Sequence, residues 1–295
     1  MKEAFIKLHI SILIAGMTGV FGKLITLNEA LLVWYRLLIA SILFFSMLAY
    51  KKKLHAIDVH SFLKIAGTGC LLCLHWIFFY GSIKASNVSI GVVCFSLVGF
   101  FTALLEPILL KRRFFFRELM YSCLTLTGII LIFHFDTHYR LGIGLGVVSS
   151  MLAALFTITN KKVSANYPTS CVLFYEMIGG FICISCILPI YFHLFDTSFK
   201  VPFATDFTYL FLLASICTIG MYLLQIEVLK KISAFTVNLS YNLEPVYSIL
   251  IAMALFGEAK ELNFAFYAGL GCIILSVILQ TLNVTRQKKL QTLEE

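Results

Sequence analysis

An all-α integral membrane protein of ten transmembrane helices is the fold class this sequence predicts, and three observations carry that expectation. Of the 295 residues, 60% are hydrophobic and only 13% charged, about half the charged share of a soluble domain, which is ~25%. So little polar material cannot cover a water-facing surface. The apolar residues also run in stretches of about 20, the length a helix needs to cross a hydrocarbon core ~30 Å thick. Finally, the basic residues cluster between those stretches, at Lys51-Lys52-Lys53, Lys111-Arg112-Arg113, Lys161-Lys162, Lys230-Lys231 and Lys288-Lys289, as they do in membrane-flanking loops. The net charge of +8 is therefore loop charge and not a phosphate-tracking groove, so no nucleic acid is expected as a partner.

The first span, 5–24, follows a basic start that resembles a signal peptide. It lacks a small-x-small cleavage site and is long enough to cross, so it is expected to stay in the protein. Its Gly16, Thr18, Gly19 and Gly22 form a small-residue series suited to close helix packing. The second span, 31–50, opens with "VWYRLLIA" and places Arg36 near its outer end. The third, 62–83, carries His75 and Trp76 near its centre, and the fourth, 88–110, ends on Glu106-Pro107. There a carboxylate one turn from the cytoplasmic end is expected to snorkel. The fifth and sixth spans cover 118–135 and 141–160, and the seventh, 170–192, contains Glu176. After the external segment "HLFDTSFKVPFATD", the eighth span, 207–229, carries Tyr222. The ninth, 233–256, has "NLEPVYSI" at its middle, the tenth covers 263–283, and 284–295 is a cytoplasmic tail. Lys23 and Glu227, near helix ends, are expected to be interfacial or capping. The nine cysteines all lie in apolar runs, and the pairs Cys70/Cys73 and Cys183/Cys186 are expected to pack as small hydrophobes.

Placing the N-terminus in the cytoplasm puts seventeen basic residues on the inner side and four (Lys84, Arg140, Lys200 and Lys260) outside. By the positive-inside rule both termini then face the cytoplasm. The chain also repeats itself. "VWYRLLIA" at 33–40 aligns with "LFYEMIGG" at 173–180, "KASNVSIG" at 84–91 with "KISAFTVN" at 231–238, and "TGIILIF" at 127–133 with "LSVILQT" at 275–281. These offsets of 140, 147 and 148 define two halves, 1–135 and 141–283, of five spans each. Five is odd, so the second half enters the membrane from the opposite face. Inverted repeats of this kind belong to secondary transporters that rock around a midplane site.

These residues resemble the EamA-type transporters of the drug/metabolite transporter superfamily. The resemblance rests on "WYRLLIA" in the second span, "LSYNLEPVYSILIAMALFGEAKEL" in the ninth and the small-residue rhythm of "AGLGCIILSVIL" in the tenth. It implies two EamA-like repeats and a structural or gating role for Arg36. It also implies substrates among amino acids, amines, nucleosides, sugars and drugs, often exported, and a place in the cytoplasmic (inner) membrane of a bacterium. The first half departs from the pattern, because a basic run follows Glu106-Pro107 where a Gly-Glu is expected. The 147 offset pairs Glu244 with Leu97, so the acidic site has no twin.

A charged side chain at the centre of a membrane helix costs ~2.5–3.5 kcal/mol on insertion scales and is a functional candidate by default. Glu244 occupies that position. At 100° per residue, Asn238, Tyr241, Glu244 and Ser248 share one arc, and Pro245 removes the backbone partner of the Tyr241 carbonyl, so a kink is expected there. His75 and Tyr222 are repeat counterparts, and His75 with Glu244 would form a proton-sensitive pair. The expected substrate-binding or coupling residues are therefore Glu244, Tyr241, Asn238, His75, Tyr222 and Trp76. Arg36, Glu176 and Pro245 are the expected gating or structural polar positions.

No P-loop occurs, so transport would draw on protons, on exchange or on the substrate gradient alone. A secondary carrier that exports small metabolites such as amino acids or amines by alternating access is the leading expectation; a channel or sensor is the alternative. An embedded enzyme ranks below both, for want of a catalytic motif or paired intramembrane aspartates. No cofactor or metal is expected. The partners are a small-molecule substrate and the lipid bilayer, with protons as a third option.

Overall fold

The helices begin where short polar side chains can cap them. In the computed structural model, which describes residues 2–111, 116–134, 139–257 and, beyond these, 264–265, 267–276, 278–279 and 282, Asn28, Asp58, Asn87 and Ser233 each accept a hydrogen bond from the backbone amide three residues on. Each supplies an acceptor for an amide that the first helical turn leaves unmet. The described residues form helices and connecting turns.

In chain order the helices are α1 (Lys2–Leu24), α2 (Glu29–Tyr50), α3 (Val59–Ala85), α4 (Val88–Phe95), α5 (Val98–Leu110), α6 (Phe116–His134), α7 (Arg140–Ser164), α8 (Thr169–Leu194), α9 (Ala204–Ala214), α10 (Met221–Leu229), α11 (Ala234–Ser240), α12 (Glu244–Phe256) and α13 (Tyr267–Ser276). Eight of the described segments are long and apolar enough to cross a membrane: α1, α2, α3, α4–α5, α7, α8, α9–α10 and α11–α12. α6 overlaps the fifth expected span and α13 lies within the tenth. Most of the tenth span's ends, Glu258, Lys260 and the tail 284–295 lie outside the described residues. Large apolar side chains such as Leu13, Ile42, Ile182 and Leu250 point outward, where lipid rather than water would meet them.

Three segments expected as continuous helices are interrupted. α4 stops at Phe95 and α5 starts at Val98. Residues Ser215–Gly220 between α9 and α10 widen into a π-helix, and Tyr241–Leu243 between α11 and α12 tighten into a 3₁₀ turn. Pro245 therefore sits in the first turn of α12, where its missing N–H removes no helical bond. The helix is broken and restarted, not kinked in mid-course. The 147 offset places Val98 opposite Pro245, so both halves break at the same point although only one has a proline.

Packing exchanges the two halves. α1 rests on α10 and α12 as α7 rests on α3 and on α4–α5, and α3 meets α8 as α9 meets α2. Two pairings, α2 with α8 and α4–α5 with α11–α12, lie on the exchange axis. Glycines set the closest approaches. A Cβ on Gly69 would meet the backbone of Glu176, and one on Gly179 would meet the backbone of Ala66. α3 and α8 thus touch backbone to backbone, as small-residue interfaces allow. On α1, a Cβ on Gly16 would come within 2.9 Å of Tyr247 on α12.

Candidate functional site

The broken helices converge on a cavity of about 40 Å³, room for a few waters at roughly 10–15 Å³ each. α1, α2, α3, α4, α7, α10, α11 and α12 all reach it, with the 3₁₀ turn between the last two. Arg36, His75, Trp76, Tyr222, Asn238, Tyr241 and Glu244, named above from the sequence, all line it. Glu176 and Pro245 do not.

Arg36 is fully buried and has no carboxylate partner among the described residues. Its Nε donates to Thr218 Oγ1 at 2.7 Å, Nη1 to the Tyr80 hydroxyl at 2.7 Å and Nη2 to the Cys217 carbonyl at 3.1 Å. The guanidinium stacks 3.6 Å above the Trp76 ring centroid, a cation–π contact. The π-helical turn makes this cradle possible. Thr218 donates to the carbonyl of Leu213, five residues back, and the widened turn presents the Thr218 hydroxyl and the Cys217 carbonyl together. π-bulges of this sort recur at functional sites.

His75 is held to α7. Its Nδ1 lies 2.8 Å from Ser149 Oγ and 3.1 Å from the Ser149 carbonyl, and Ser149 Oγ donates to the His75 carbonyl at 3.1 Å. Phe79 and Phe95 flank its ring. One ring nitrogen is thus committed to structure. Trp76 meets Tyr222 edge to face at 5.7 Å between centroids, so the chain neighbour of His75 and the repeat counterpart of His75 close the cavity together.

The polar arc of the ninth span divides its labour. Asn238 Nδ2 donates to Thr102 Oγ1 on α5 at 2.8 Å, and the Tyr241 hydroxyl donates to Ser11 Oγ on α1 at 3.1 Å. Ser248 Oγ donates to the Gly16 carbonyl at 2.7 Å. These three tie the broken segment to its neighbours. Glu244, buried at 4% exposure, differs from them: no hydrogen bond or ion pair from the described residues reaches its carboxylate. The cavity therefore presents a guanidinium and a carboxylate that are not paired with each other.

The sequence model of the EamA-like transporter family matches residues 4–134 and 140–282. The chain belongs to the EamA-like transporter family. It is thereby a membrane transporter of the drug/metabolite transporter superfamily, a family of transporters and not of enzymes, with one repeat in each half. A solved structure described only as a crystal structure of a protein superposes with a TM-score of 0.67 over 97% of this EamA-like chain and 99% of its own, at 16% identity. That likeness concerns the fold. Among curated proteins none matches.

Two carboxylates of this EamA-like protein sit apart from the cavity. Glu176 on α8 is fully buried, and its Oε1 accepts from Thr68 Oγ1 at 2.7 Å and Asn160 Nδ2 at 2.8 Å. Glu106 does not snorkel. It is 1% exposed and its Oε2 accepts from the Phe235 amide at 2.9 Å, because the first turn of α11 lies against α5 and offers an unmet donor and a positive helix end. The interfacial pair behaves differently again. Glu227 forms an ion pair with Lys7 at 2.7 Å, and Lys23 lies 4.9 Å over the Phe256 ring.

Several EamA-like cavity residues escaped the sequence reading. Thr18, Thr157 and Gln225 reach the cavity but are uncharged and resemble the hydroxyls and amides that pack elsewhere. Tyr80, the Arg36 partner, lies one helical turn after Trp76, so the arc Arg36 contacts on α3 was in principle readable. The π-helical turn left no trace in composition. The Cys70–Gly179 contact, Sγ to carbonyl oxygen at 3.8 Å, places Cys70 of the first C-x-x-C pair in the packing of α3 on α8, and all nine cysteines are free.

Proposed function

We propose that the protein is a secondary-active carrier that exports a small zwitterionic or amine metabolite, such as an amino acid, by alternating access. On this reading ten helices cross the cytoplasmic membrane of a bacterium as two inverted repeats, with both termini in the cytoplasm. The observation that carries the substrate class is the unpaired couple in the cavity: Arg36 offers N–H donors to a carboxylate, and Glu244 offers an acceptor to an ammonium group. Both charges are already desolvated and held apart, so a ligand bearing the opposite charges gains without breaking an internal ion pair. Trp76, Phe79, Phe95 and Phe156 supply apolar walls. A cavity of about 40 Å³ is smaller than any such ligand, which fits a closed state of a carrier that must open to load.

Loading would move α4–α5 or α11–α12 away from α1 at the breaks in those two segments, where few backbone bonds need to change. Asn238, Tyr241, Tyr222 and His75 orient the ligand between the two charges, with Pro245 and the 3₁₀ turn as the hinge. The test is counterflow of labelled amino acids and amines in proteoliposomes, after a thermal-shift screen for ligands. Wild type is expected to exchange label, whereas Glu244→Gln loses exchange of zwitterions and amines. If Glu244→Gln matches wild type in rate and pH profile, Glu244 is structural and the assignment fails. Conductance without counterflow would identify a channel instead.

A further inference from the structure

Glu106 caps a helix, but nothing so simple accounts for Glu176. Its Oε1 takes both available hydrogen bonds, from Thr68 on α3 and Asn160 on α7. Its Oε2 has no partner, and neither has Oδ1 of the same Asn160. Both atoms are fully shielded, and Glu176 and Asn160 are 0% and 1% exposed. Two side chains already joined by one hydrogen bond thus leave one acceptor oxygen apiece unmet, whereas buried polar atoms in proteins as a rule have a partner. The chemistry of the pair explains the deficit. A carboxylate beside a carboxamide forms one hydrogen bond, from N–H to O. A carboxylic acid beside a carboxamide forms two, because its O–H returns a donor to the amide oxygen. One proton on Glu176 Oε2, returned to the amide oxygen of Asn160, would satisfy both orphaned atoms at once.

We infer that Glu176 and Asn160 form a proton-binding site separate from the substrate cavity, with the proton carried on Glu176 Oε2 and donated to Asn160 Oδ1. In the carrier proposed above, which this second step rests on, it is the coupling site. The bound proton closes an acid–amide ring that ties α8 to α7, while Thr68 ties α8 to α3. Those same two helices, α3 and α7, carry His75 at the cavity wall and the Ser149 that holds it, so opening the ring loosens the wall. Release moves the proton from Oε2 to water and leaves a carboxylate. Its route is at hand: Thr68 also lines a groove of about 530 Å³ between α3 and α7, flanked by Lys64 and Lys162, on the side that the basic residues assign to the cytoplasm.

The other charged groups on the packed helices leave the proton to this pair. From α2, Arg36 donates to Thr218, Tyr80 and Cys217. From α10, Glu227 pairs with Lys7. On α7, Lys161 donates to the carbonyls of Leu229 and Ile232, while Lys162 and, on α3, Lys64 are exposed at the groove. On α8 itself the Tyr175 hydroxyl donates to the His55 carbonyl. Among the described residues no ion pair reaches Glu176.

Infrared difference spectra of the purified full-length protein, recorded against pH and in D₂O, test the site without any transport assay. The expected result is a protonated-carboxyl band that persists in Glu244→Gln, is lost in Glu176→Gln and shifts in Asn160→Leu. Glu176→Gln preserves both hydrogen bonds of the ring, so its thermal stability is expected to lose the pH dependence contributed by this group. In proteoliposomes the same variant is expected to lose its response to an imposed pH gradient. If no band is assignable to Glu176 at any pH at which the protein is folded, the inference is overturned. A stability that follows sodium concentration at fixed pH, and not pH, overturns it equally by making the occupant a metal cation. A Glu176 band in a protein that shows no counterflow keeps the proton site and removes only the carrier reading.

Discussion

Arg36 is the residue on which the cavity's chemistry turns, because it is a fully buried cation with neutral acceptors and an aromatic face for company. A guanidinium is flat and presents its donors in a fork, so it can stack on Trp76 and bond to two helices at once. A lysine ammonium is a compact point charge that lacks the flat stacking face and the fixed fork of donors. Arg36→Lys is therefore expected to fold less stably, by on the order of 2 kcal/mol for each charge-assisted hydrogen bond it fails to remake. The measurement is a melting curve in detergent, and a variant that melts with wild type would show that Thr218 and Tyr80 do not hold the guanidinium. The arc Asn238, Tyr241, Glu244 and Ser248 was legible from helical spacing alone. Which member stays unbonded was not, because that depends on Thr102, Ser11 and Gly16 arriving from helices distant in sequence.

Among the elements, caps were readable and breaks only partly so. Asp58 shows what a cap contributes. Hydrogen bonds from the Ser61 hydroxyl and amide hold its carboxyl below the usual carboxylate range. A carboxylate whose folded value is depressed adds stability above its unfolded value and loses it as pH falls through the folded one. Asp58→Ala is thus expected to melt below wild type at neutral pH, with the gap closing in acid. A gap that stays constant down to acid pH would mean that the charge of Asp58 contributes nothing to the cap. Of the three interruptions, Pro245 announced one. The break at Ser96–Leu97 and the π-helical turn at Ser215–Gly220 have no proline, and they arise from packing between halves and from the Thr218–Leu213 bond. Glu106 was misread for a related reason: its depth in the helix was legible, but the helix end of α11 that it meets was not.

At the scale of the whole molecule, the two matched repeats and the exchanged packing agree on a two-fold scaffold. The orientation proposed for it rests on the seventeen-to-four bias of basic residues. A fluorescent-protein fusion at the C-terminus is expected to light up, and an alkaline phosphatase inserted at 197–202 is expected to be active. The reverse pattern would invert the topology and place the Lys64–Lys162 groove on the outer face. The membrane class, the repeat, the family resemblance and the list of cavity candidates were all determined by the sequence itself, because hydropathy, charge placement and helical spacing are local quantities. Only the tertiary structure decided that Arg36 and Glu244 share a cavity without pairing, that Glu176 is bonded to Thr68 and Asn160 away from it, and that Glu106 caps a helix. Each of those outcomes depends on which groups from distant spans arrive to satisfy a desolvated charge, and a linear pattern does not carry that information.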